Sequence, residues 1–348
     1  MTALDTRKTT RPKLLAMIFM YLGDVVVTTP ALRALRQAYP EWELHVLVPH
    51  EAAPLLRNIP WIDRVWAFPR QRGRLNIAGA LPTIGQMRRE RFTVSIDFIG
   101  NDRGALLSLM VGAKRRIGVV SPGGFFLRSK CYTDPVESLD ATRHASVRAW
   151  AVTAPLEVPF PGDMSPEIAV DPQYATMAKN ALGDAEVLCY VTASQPKREW
   201  PPERWVELAR LIGETASPIA FTGGSSAREK EVLAEIARRN NDVVVIPAPE
   251  PLELLLAVIA GAKLFITGDT GPLHFAAALH VPTLGLFGPT AAACWAPVGA
   301  RHRWIQGGLC PCSGHSSVCS AITPCLAQIA PAQVYETYTE MVQEAAGI

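Results

Sequence analysis

The most informative part of this chain is the stretch from Leu264 to Thr290, L-F-I-T-G-D-T-G-P-L-H-F-A-A-A-L-H-V-P-T-L-G-L-F-G-P-T. Its first residues end a short apolar strand, and Gly-Asp-Thr-Gly then forms a turn whose backbone can come close to a ligand. Pro272 follows at a first helical position, where its missing N–H costs nothing. Residues 272–280 continue as an alanine-rich helix, and residues 281–287 return to an apolar strand. The pattern predicts a strand-turn-helix-strand unit of a parallel sheet.

The start of this predicted helix is suited to an anion. The free N–H groups of its first turn and the helix dipole favour a group such as a diphosphate. Asp269 would repel a phosphate that it faced, so we expect its carboxylate to accept hydrogen bonds from sugar hydroxyls or backbone donors. His274 lies about one turn into the helix, close enough to reach a ligand at that end. An ordinary turn with a hydrogen-bonded histidine fits the same spacing.

Three further sequence motifs, together with this stretch, are distributed over most of the chain. They are L-G-D-V-V-V-T-T-P-A-L-R-A-L-R-Q-A-Y-P (Leu22 to Pro40), I-D-F-I-G-N-D-R-G-A-L-L (Ile96 to Leu107) and P-K-R-E-W-P-P-E-R-W (Pro196 to Trp205). With them the chain resembles glycosyltransferase family 9, the lipopolysaccharide heptosyltransferases, which carry D-[ST]-G-x-x-H-x-A-A-A…P…F-G-P-T at the signature. The matching residues are Asp269, Thr270, Gly271, His274, Ala276 to Ala278, Pro282 and Phe287 to Thr290.

Apolar runs alternate with amphipathic stretches along the whole chain, which predicts parallel sheets covered by helices. The predicted strands are 14–22, 44–48, 65–68, 94–98, 117–119, 187–191, 219–222, 243–246, 264–267 and 283–287. Predicted helices are 30–38, 202–214, 227–240, 251–260, 272–280 and 332–346. The resemblance implies an α/β fold of the GT-B type, in which two Rossmann-like domains with parallel sheets face each other across a cleft.

The chain of 348 residues is long enough for two domains, each with its own core. A stretch at 152–172, with five prolines in 21 residues, opposes regular structure and predicts the boundary between them. We expect an N-terminal acceptor-binding domain at 1–160 and a C-terminal nucleotide-sugar (donor) domain at 161–330. The resemblance implies that a last helix, within 331–348, packs back on the N-terminal domain.

The net charge of +2 conceals an asymmetry, because residues 1–160 carry 22 Lys+Arg against 13 Asp+Glu, whereas residues 161–348 carry 12 against 19. An anionic lipid acceptor or a membrane surface would suit the basic half, and a merely solvated surface is the plainer alternative. Nucleic acid is not expected, because no zinc finger, RNA-recognition signature or aromatic-interleaved basic stripe is present. The basic residues include Arg70, Arg72, Arg74, Arg88, Arg89, Arg91, Lys114, Arg115, Arg116, Arg128 and Lys130.

No apolar run approaches the roughly 18 residues that span a bilayer. One segment imitates a targeting signal, because Lys8, Arg11 and Lys13 precede the apolar residues Leu14 to Leu22. No small-x-small cleavage site follows, so we interpret this segment as a buried parallel strand. We expect a cytoplasmic protein, peripheral at the cytoplasmic face of the inner membrane and attached in a salt-sensitive way.

Four of the seven cysteines are clustered, at Cys310, Cys312, Cys319 and Cys325. Their spacing lacks the paired C-x-x-C knuckles of common zinc sites, so a structural metal site and ordinary thiols both stay open. Disulfides are less expected in a cytoplasmic chain. No Asp-x-Asp pair lies in a suitable loop, and the resembled fold usually works without a metal on the diphosphate. No metal is therefore expected for catalysis, and no cofactor is expected besides the donor substrate.

Asp24 is the candidate catalytic base. It follows the first predicted strand, at the carboxyl edge where open parallel sheets bind their ligands, with Gly23 allowing the turn and Thr28, Thr29 and Pro30 opening the next helix. Inverting glycosyl transfer needs a base to take the proton from the acceptor hydroxyl. From the residues alone a helix cap is the plainer interpretation. The resemblance implies catalysis, because Asp24 matches the aspartate that is the family's proposed base.

Two loops of the second half are candidates for donor binding. Lys197 and Arg198 follow the predicted strand 187–191, where a cation can neutralise charge on a leaving phosphate. The resemblance implies a lysine contact there and a hydroxyl at Ser194, and it leaves open whether Lys197 or Arg198 makes the contact. Thr222 and Gly223 end another strand and could hold the nucleoside, with Glu229 a weaker candidate for a ribose hydroxyl. A plain turn fits as well.

Asp97, Asn101 and Arg103 match the family block I-D-x-x-G-N-x-R, which borders the acceptor side; Asp97 alternatively braces the Asp24 loop. Together these matches predict an inverting transferase that moves heptose from ADP-heptose to the inner core of lipopolysaccharide. A related transferase with another nucleotide sugar, and a nucleotide-sugar binding protein that has lost catalysis, remain alternatives. A nicotinamide-dependent dehydrogenase fits less well, because no G-x-G-x-x-G follows the first strand.

Overall fold

The protein is described here by a computed structural model that covers residues 11–69, 77–120, 123–137, 140–213, 218–240, 243–308 and 324–347. It contains two parallel six-stranded sheets. The first has the order β3-β2-β1-β4-β5-β6. Its strands are β1 (Lys13–Met17), β2 (Glu43–Pro49), β3 (Arg64–Phe68), β4 (Val94–Asp97), β5 (Arg115–Val120) and β6 (Asp134–Glu137).

The second sheet repeats this strand order. Its strands are β7 (Val187–Tyr190), β8 (Ile219–Thr222), β9 (Val244–Val245), β10 (Leu264–Gly268), β11 (Thr283–Phe287) and β12 (His302–Gln306). The order is β12-β11-β10-β7-β8-β9, so β7 and β10 stand where β1 and β4 stand in the first sheet. This is the Rossmann order: successive strands are added outward on one side of the first strand and then on its other side, and a crevice forms at the carboxyl ends of the two central strands where the order reverses.

Twelve α-helices connect and cover these strands in the described residues. They are α1 (Leu22–Ala38), α2 (Ala53–Leu56), α3 (Ile77–Glu90), α4 (Asp102–Val111), α5 (Ala145–Ala151), α6 (Ala175–Leu182), α7 (Pro202–Gly213), α8 (Ala227–Arg239), α9 (Leu252–Gly261), α10 (Gly271–Ala278), α11 (Ala292–Trp295) and α12 (Pro331–Ala346). Local signals fix several ends: Asn101 caps α4, which stops at the left-handed Gly112, and a Ser226–Glu229 capping box starts α8.

By its internal contacts the chain divides into two units. One comprises Met1–Met20, Pro30–Asp140 and Ser146–Gly162, and the other comprises Tyr21–Thr29, Ala141–Ala145 and Asp163–Ile348. Each unit has its own buried core, around Leu15, Met17 and Leu47 in the first and around Trp200, Trp205 and Phe221 in the second. The first turns of α1 thus belong with the second unit, a division that the sequence pattern did not predict.

The start of α1 differs from the sequence-based expectation. The strand ends at Met17 rather than at residue 22, and the helix begins at Leu22 rather than at Pro30. Pro30 is tolerated inside the helix because Thr29 Oγ1 donates a hydrogen bond of 2.7 Å to the carbonyl oxygen of Val26, which is the oxygen that a residue-30 N–H would otherwise serve. Gly23 and Asp24 therefore lie in the first turn of a helix, not in a loop before it.

The last helix packs within the second unit, and the expectation that it also packs back on the first domain stays a prediction. Val334, Tyr338 and Met341 of α12 are buried in the core of the second unit, together with Trp205 of α7. Their i, i+4, i+7 spacing gives α12 one apolar face, and that face is covered within the second unit.

The predicted fold class, α/β with two Rossmann-like parallel sheets of the GT-B type, is confirmed. The sequence pattern missed the edge strands β6 and β12, because their exposed and half-buried residues lack the apolar run of a central strand. Among the described residues, no helix is both long enough and apolar enough to cross a membrane.

Candidate active site

The turn between β10 and α10 leaves polar atoms without partners. Thr270 is the N-cap residue of α10, in an extended conformation, and its side chain makes no capping hydrogen bond. Its Oγ1 is buried and has no hydrogen-bond partner within the described part of the chain. A buried hydroxyl beside an uncapped helix start favours a ligand with oxygen acceptors, such as a phosphate.

Asp269, in the same turn, carries a charge that is already matched. It is 5 % exposed, and its Oδ2 lies 3.2 Å from Nη1 of Arg198. The two groups form an ion pair, but their relative orientation does not allow a hydrogen bond. The pair forms because the end of β10 touches the turn Pro196–Arg198, where a Cβ on Gly268 would lie 2.8 Å from the Arg198 carbonyl oxygen. The cation offsets the repulsion between Asp269 and an anion bound nearby.

His274 is the fourth residue of α10 and is 6 % exposed. Burial lowers the pKa of its imidazole well below the ordinary value; the Asp269 carboxylate opposes this shift and His144 adds to it. His274 is therefore neutral at physiological pH. A neutral imidazole offers one N–H donor and one acceptor to a ligand but no charge.

Asp24 lies at the start of α1, which in the second unit meets the start of α10. A Cβ on Gly23 would lie 2.9 Å from Cδ2 of His274 and 3.7 Å from the Cα of Gly271. The glycine therefore allows the His274 ring to rest against the backbone beside Asp24. Asp24 Oδ2 accepts a hydrogen bond of 3.1 Å from the Tyr21 N–H, so the carboxylate does cap its own helix. An ionised carboxylate has about four lone-pair positions, so this hydrogen bond does not by itself exclude a role as a proton acceptor.

The loop after β7 brings two cations to the same edge of the sheet. Lys197 is 9 % exposed, whereas Ser194 is exposed at the start of the loop. Arg198 is held by its pairing with Asp269. Since β7 and β10 are neighbouring parallel strands, in which Tyr190 is paired with Thr267, this loop and the signature turn share one end of the sheet.

A brace on this loop was missed by the sequence analysis. Arg228 of α8 donates to both carboxylate oxygens of Glu199, at 2.8 and 2.6 Å, and to the Ala193 carbonyl oxygen at 2.5 Å. Glu199 Oε1 also accepts from the Ala193 N–H at 2.7 Å. The two ends of the loop that carries Lys197 are thus joined through one guanidinium. Glu199 stands inside a quoted family block, but nothing in the sequence signals Arg228.

In the third predicted loop, which follows β8, Glu229 and Gly223 make contacts that hold the loop in place. The carboxylate of Glu229 accepts from Ser226 and, at 3.2 Å, from Thr192 Oγ1, so it closes the capping box of α8 and is already engaged. Gly223 is required by close packing, because a Cβ there would lie 2.8 Å from Thr192. Thr222 is completely buried, and its Oγ1 has no hydrogen-bond partner in the described residues, so a contact with a nucleoside stays a prediction.

In the first unit, two of the three residues expected on the acceptor side hold turns of the backbone in place. Asp97 is completely buried; its oxygens accept from the backbone N–H groups of Ile99 and Gly100 and from the Tyr132 hydroxyl, at 2.7 Å. Burial raises its pKa, and these donors oppose that rise. Its carboxylate has no exposed surface to offer an acceptor, so Asp97 fixes the turn after β4.

Asn101, rather than Asp97, braces the loop after β1. Its Nδ2 donates to the Phe19 carbonyl oxygen at 2.8 Å, and its Oδ1 caps α4 through the Gly104 N–H at 2.9 Å. Arg103 is half-buried in the first turn of α4. An acceptor role for these residues remains a prediction.

Three residues of the cysteine cluster lie outside the described residues: Cys310, Cys312 and Cys319. The same is true of four basic residues of the first half, Lys8, Arg70, Arg72 and Arg74. Cys325 is described: its side chain is buried, and a Cβ on Gly288 would lie 3.1 Å from its Sγ. Within the described ranges no group of three or more His, Cys, Asp or Glu side chains is arranged to hold a metal ion.

Two Rossmann-like parallel sheets, with two cations and one uncapped helix start at the carboxyl ends of central strands of the second sheet, make up a fold of the GT-B type. The family model of glycosyltransferase family 9 (heptosyltransferase) matches residues 83–319, and the chain belongs to that family. This confirms the family and the enzyme class that the sequence motifs predicted.

Relatives of the chain agree with this assignment. The lipopolysaccharide heptosyltransferase 3 of Escherichia coli K12 is 26 % identical over 289 residues, which cover 80 % of this chain and 83 % of the relative. The crystal structure of a family 9 glycosyltransferase from Veillonella parvula shares the fold, with a TM-score of 0.81, 22 % identity and coverage of 96 % and 97 %. The E. coli heptosyltransferase WaaC with ADP-2-deoxy-2-fluoro heptose follows with a TM-score of 0.72, 22 % identity and coverage of 94 % and 99 %.

Proposed function

We propose that this enzyme transfers a heptose from ADP-L-glycero-D-manno-heptose to the inner core of lipopolysaccharide, with inversion at the anomeric carbon. Membership of family 9 and the relative named as a lipopolysaccharide heptosyltransferase support the reaction. The ADP-heptose analogue bound to the E. coli neighbour supports the donor. In this proposal the second unit binds the donor, and the basic first unit binds the anionic acceptor on the cytoplasmic face of the inner membrane.

One observation carries the proposal: the first turn of α1, with Asp24, meets the start of α10 at His274 and Gly271. Inverting transfer needs a base on the side of the anomeric carbon opposite the leaving diphosphate. Asp24 supplies the base and the signature turn supplies the N–H groups for the diphosphate. Both belong to one packed unit.

The proposed chemical step follows from these positions. The acceptor hydroxyl oxygen attacks the anomeric carbon of the heptose while its proton passes to Asp24. The bond between that carbon and the β-phosphate oxygen breaks, and its electron pair leaves with ADP. Negative charge grows on the diphosphate during this step, so donors fixed beforehand stabilise the transition state more than the ground state.

In this proposal Lys197 makes the phosphate contact, because the Arg198 guanidinium is already paired with Asp269. The Asp269 carboxylate reduces the positive charge that Arg198 can offer a leaving group. In this proposal Arg198 holds Asp269 in place, Thr270 Oγ1 donates to a phosphate oxygen, and His274 contributes its neutral N–H.

The experiment that tests the proposal is turnover of Asp24→Asn with ADP-heptose and a heptose-deficient lipopolysaccharide acceptor. An asparagine oxygen still accepts from the Tyr21 N–H, so this variant keeps the helix cap and removes the base. We expect ADP affinity to stay within about twofold and kcat to fall by about 10²–10⁴-fold.

The matched control is Asp171→Asn. Asp171 also caps a helical turn of the second unit, through the Gln173 N–H, and we expect normal turnover from this variant. Near-normal turnover of Asp24→Asn would refute the base assignment. A wild-type enzyme that binds ADP but transfers only another sugar would point to a different donor, and donor binding without any transfer would indicate a binding protein.

A further inference from the structure

Phe126 has the most exposed large apolar side chain in the described part of the protein, at 97 %. Its neighbour Leu127 is 55 % exposed, and Leu109 of α4 is 49 % exposed. Single exposed apolar residues are ordinary, but an adjacent aromatic and aliphatic pair that stands out into water marks a contact surface.

The turn that presents Phe126 is held by several contacts. Phe125 packs on the buried group of Ala105, Cys131 and Tyr132. Its N–H donates to Asp102 Oδ1 at 3.3 Å, and its carbonyl oxygen accepts from the Arg128 N–H at 3.0 Å. Phe125 therefore packs against the protein interior, and the turn that it holds in place exposes Phe126 to solvent.

Leu109 lies on the same side of α4 as this turn. Asp102 contacts the turn, and Leu109 follows it by seven residues, which is close to two complete helical turns. The two residues therefore share a face of the helix, about 10 Å apart along its axis. The exposed apolar side chains thus extend from the turn along one face of α4.

Basic groups stand at both ends of this surface. Lys130 is exposed at the end of the same turn. Arg88 is exposed on α3, and its Nη1 donates to the carbonyl oxygen of Met110, next to Leu109, at 2.7 Å. Asp102, the acid that contacts the turn, is paired with Arg128 at 3.4 Å. Apolar side chains flanked by cations match the boundary between anionic lipid headgroups and acyl chains.

We propose that these five residues, Phe126, Leu127, Leu109, Lys130 and Arg88, form a membrane-docking surface of the first unit. In it, Phe126 and Leu127 enter the headgroup region of an anionic bilayer, while Lys130 and Arg88 contact lipid phosphates. The inference rests on the proposed function only in that a lipid-borne acceptor needs the enzyme at a membrane. Docking itself requires neither donor nor acceptor.

The test is co-sedimentation of the full chain with vesicles of phosphatidylcholine that contain phosphatidylglycerol, against vesicles of phosphatidylcholine alone. We expect Phe126→Ser/Leu127→Ser to lower the partition coefficient onto anionic vesicles by about tenfold or more, because two apolar side chains no longer enter the bilayer. The control is Met177→Ser, since Met177 is similarly exposed on α6 of the second unit, and it should remain within about twofold of wild type.

Three outcomes would overturn the proposal. The first is wild-type protein that binds neither vesicle, and the second is a double variant that binds like wild type. The third is a wild-type dimer that the double substitution dissociates while vesicle binding is unchanged, which would assign the surface to a second copy of the chain. ADP binding by the same preparations separates these results from the proposed function, because it should be equal in all variants.

Discussion

Substitution of Gly23 by alanine tests the contact on which the site depends. The added Cβ would lie 2.9 Å from Cδ2 of His274. Carbon atoms pack best at about 3.5–4.0 Å, so the ring or the helix start would have to move by about 0.6 Å or more. His274 is buried, which leaves its ring little room to move.

The cost of such overpacking is about 1–3 kcal/mol. If the strain is relieved by moving His274 out of its binding position, the ADP-heptose Kd rises by about 5–150-fold. The helical conformation acts in the opposite direction, because alanine is favoured over glycine by up to about 1 kcal/mol in a helix. A loss of affinity would therefore report the contact with His274 and not a weakened α1.

Calorimetric titration with an ADP-heptose analogue, together with transfer kinetics, measures this effect. Gly85→Ala is the matched control, because Gly85 is also helical and a Cβ there would meet nothing within 4 Å. In a His274→Ala background, Gly23→Ala should lose most of its effect, since the clashing ring is gone. Unchanged Kd and kcat for Gly23→Ala would refute the argument that the start of α1 forms part of the donor site.

Two further predictions concern charge. Lys197→Met should reduce kcat by about 10-fold or more, whereas Arg198→Met should mainly weaken ADP binding, because it leaves Asp269 buried without its cation. Steady-state kinetics measures the first effect and calorimetry the second. The reverse pattern would assign the phosphate contact to Arg198. Burial lowers the pKa of His302 to about 4 in the folded protein, against ~6.5 in the unfolded chain. Above pH ~6.5 the imidazole is neutral in both states and does not affect stability, whereas between pH ~6.5 and 4 only the unfolded chain binds the proton, so stability is lost as the pH falls. The difference in unfolding free energy between wild type and His302→Gln should therefore shift against wild type by up to about 1.4 kcal/mol per pH unit in that window, and a pH-independent difference would contradict the assignment.

The sequence predicted several central strands and the signature turn to within a residue or two, although it placed the end of β1 five residues too late. The predicted strands 219–222 and 283–287 coincide with β8 and β11, because continuous apolar runs bounded by turn residues are typical of strands buried on both faces. The helix start at Gly271 followed from Pro272 and the preceding glycines. These are local signals, readable without knowing what each element packs against.

The sequence did not predict where α1 begins. Pro30 indicated a helix start, since proline ordinarily breaks a helix interior. The exception depends on Thr29 Oγ1, which serves the Val26 carbonyl oxygen and also accepts from the Glu167 N–H at 2.9 Å. That second contact joins residues far apart in the chain, so no local pattern could predict it.

The alternation of apolar and amphipathic stretches predicted an α/β fold, and the resemblance to family 9 in short motifs implied the GT-B type and the residue types of the candidate site. The tertiary structure adds the partners of these side chains. It engages Glu229 in a capping box and buries Asp97, and it adds Arg228 as a brace. The reason is physical: whether a carboxylate or guanidinium is free to bind a ligand depends on partners that only the folded chain brings within hydrogen-bond distance.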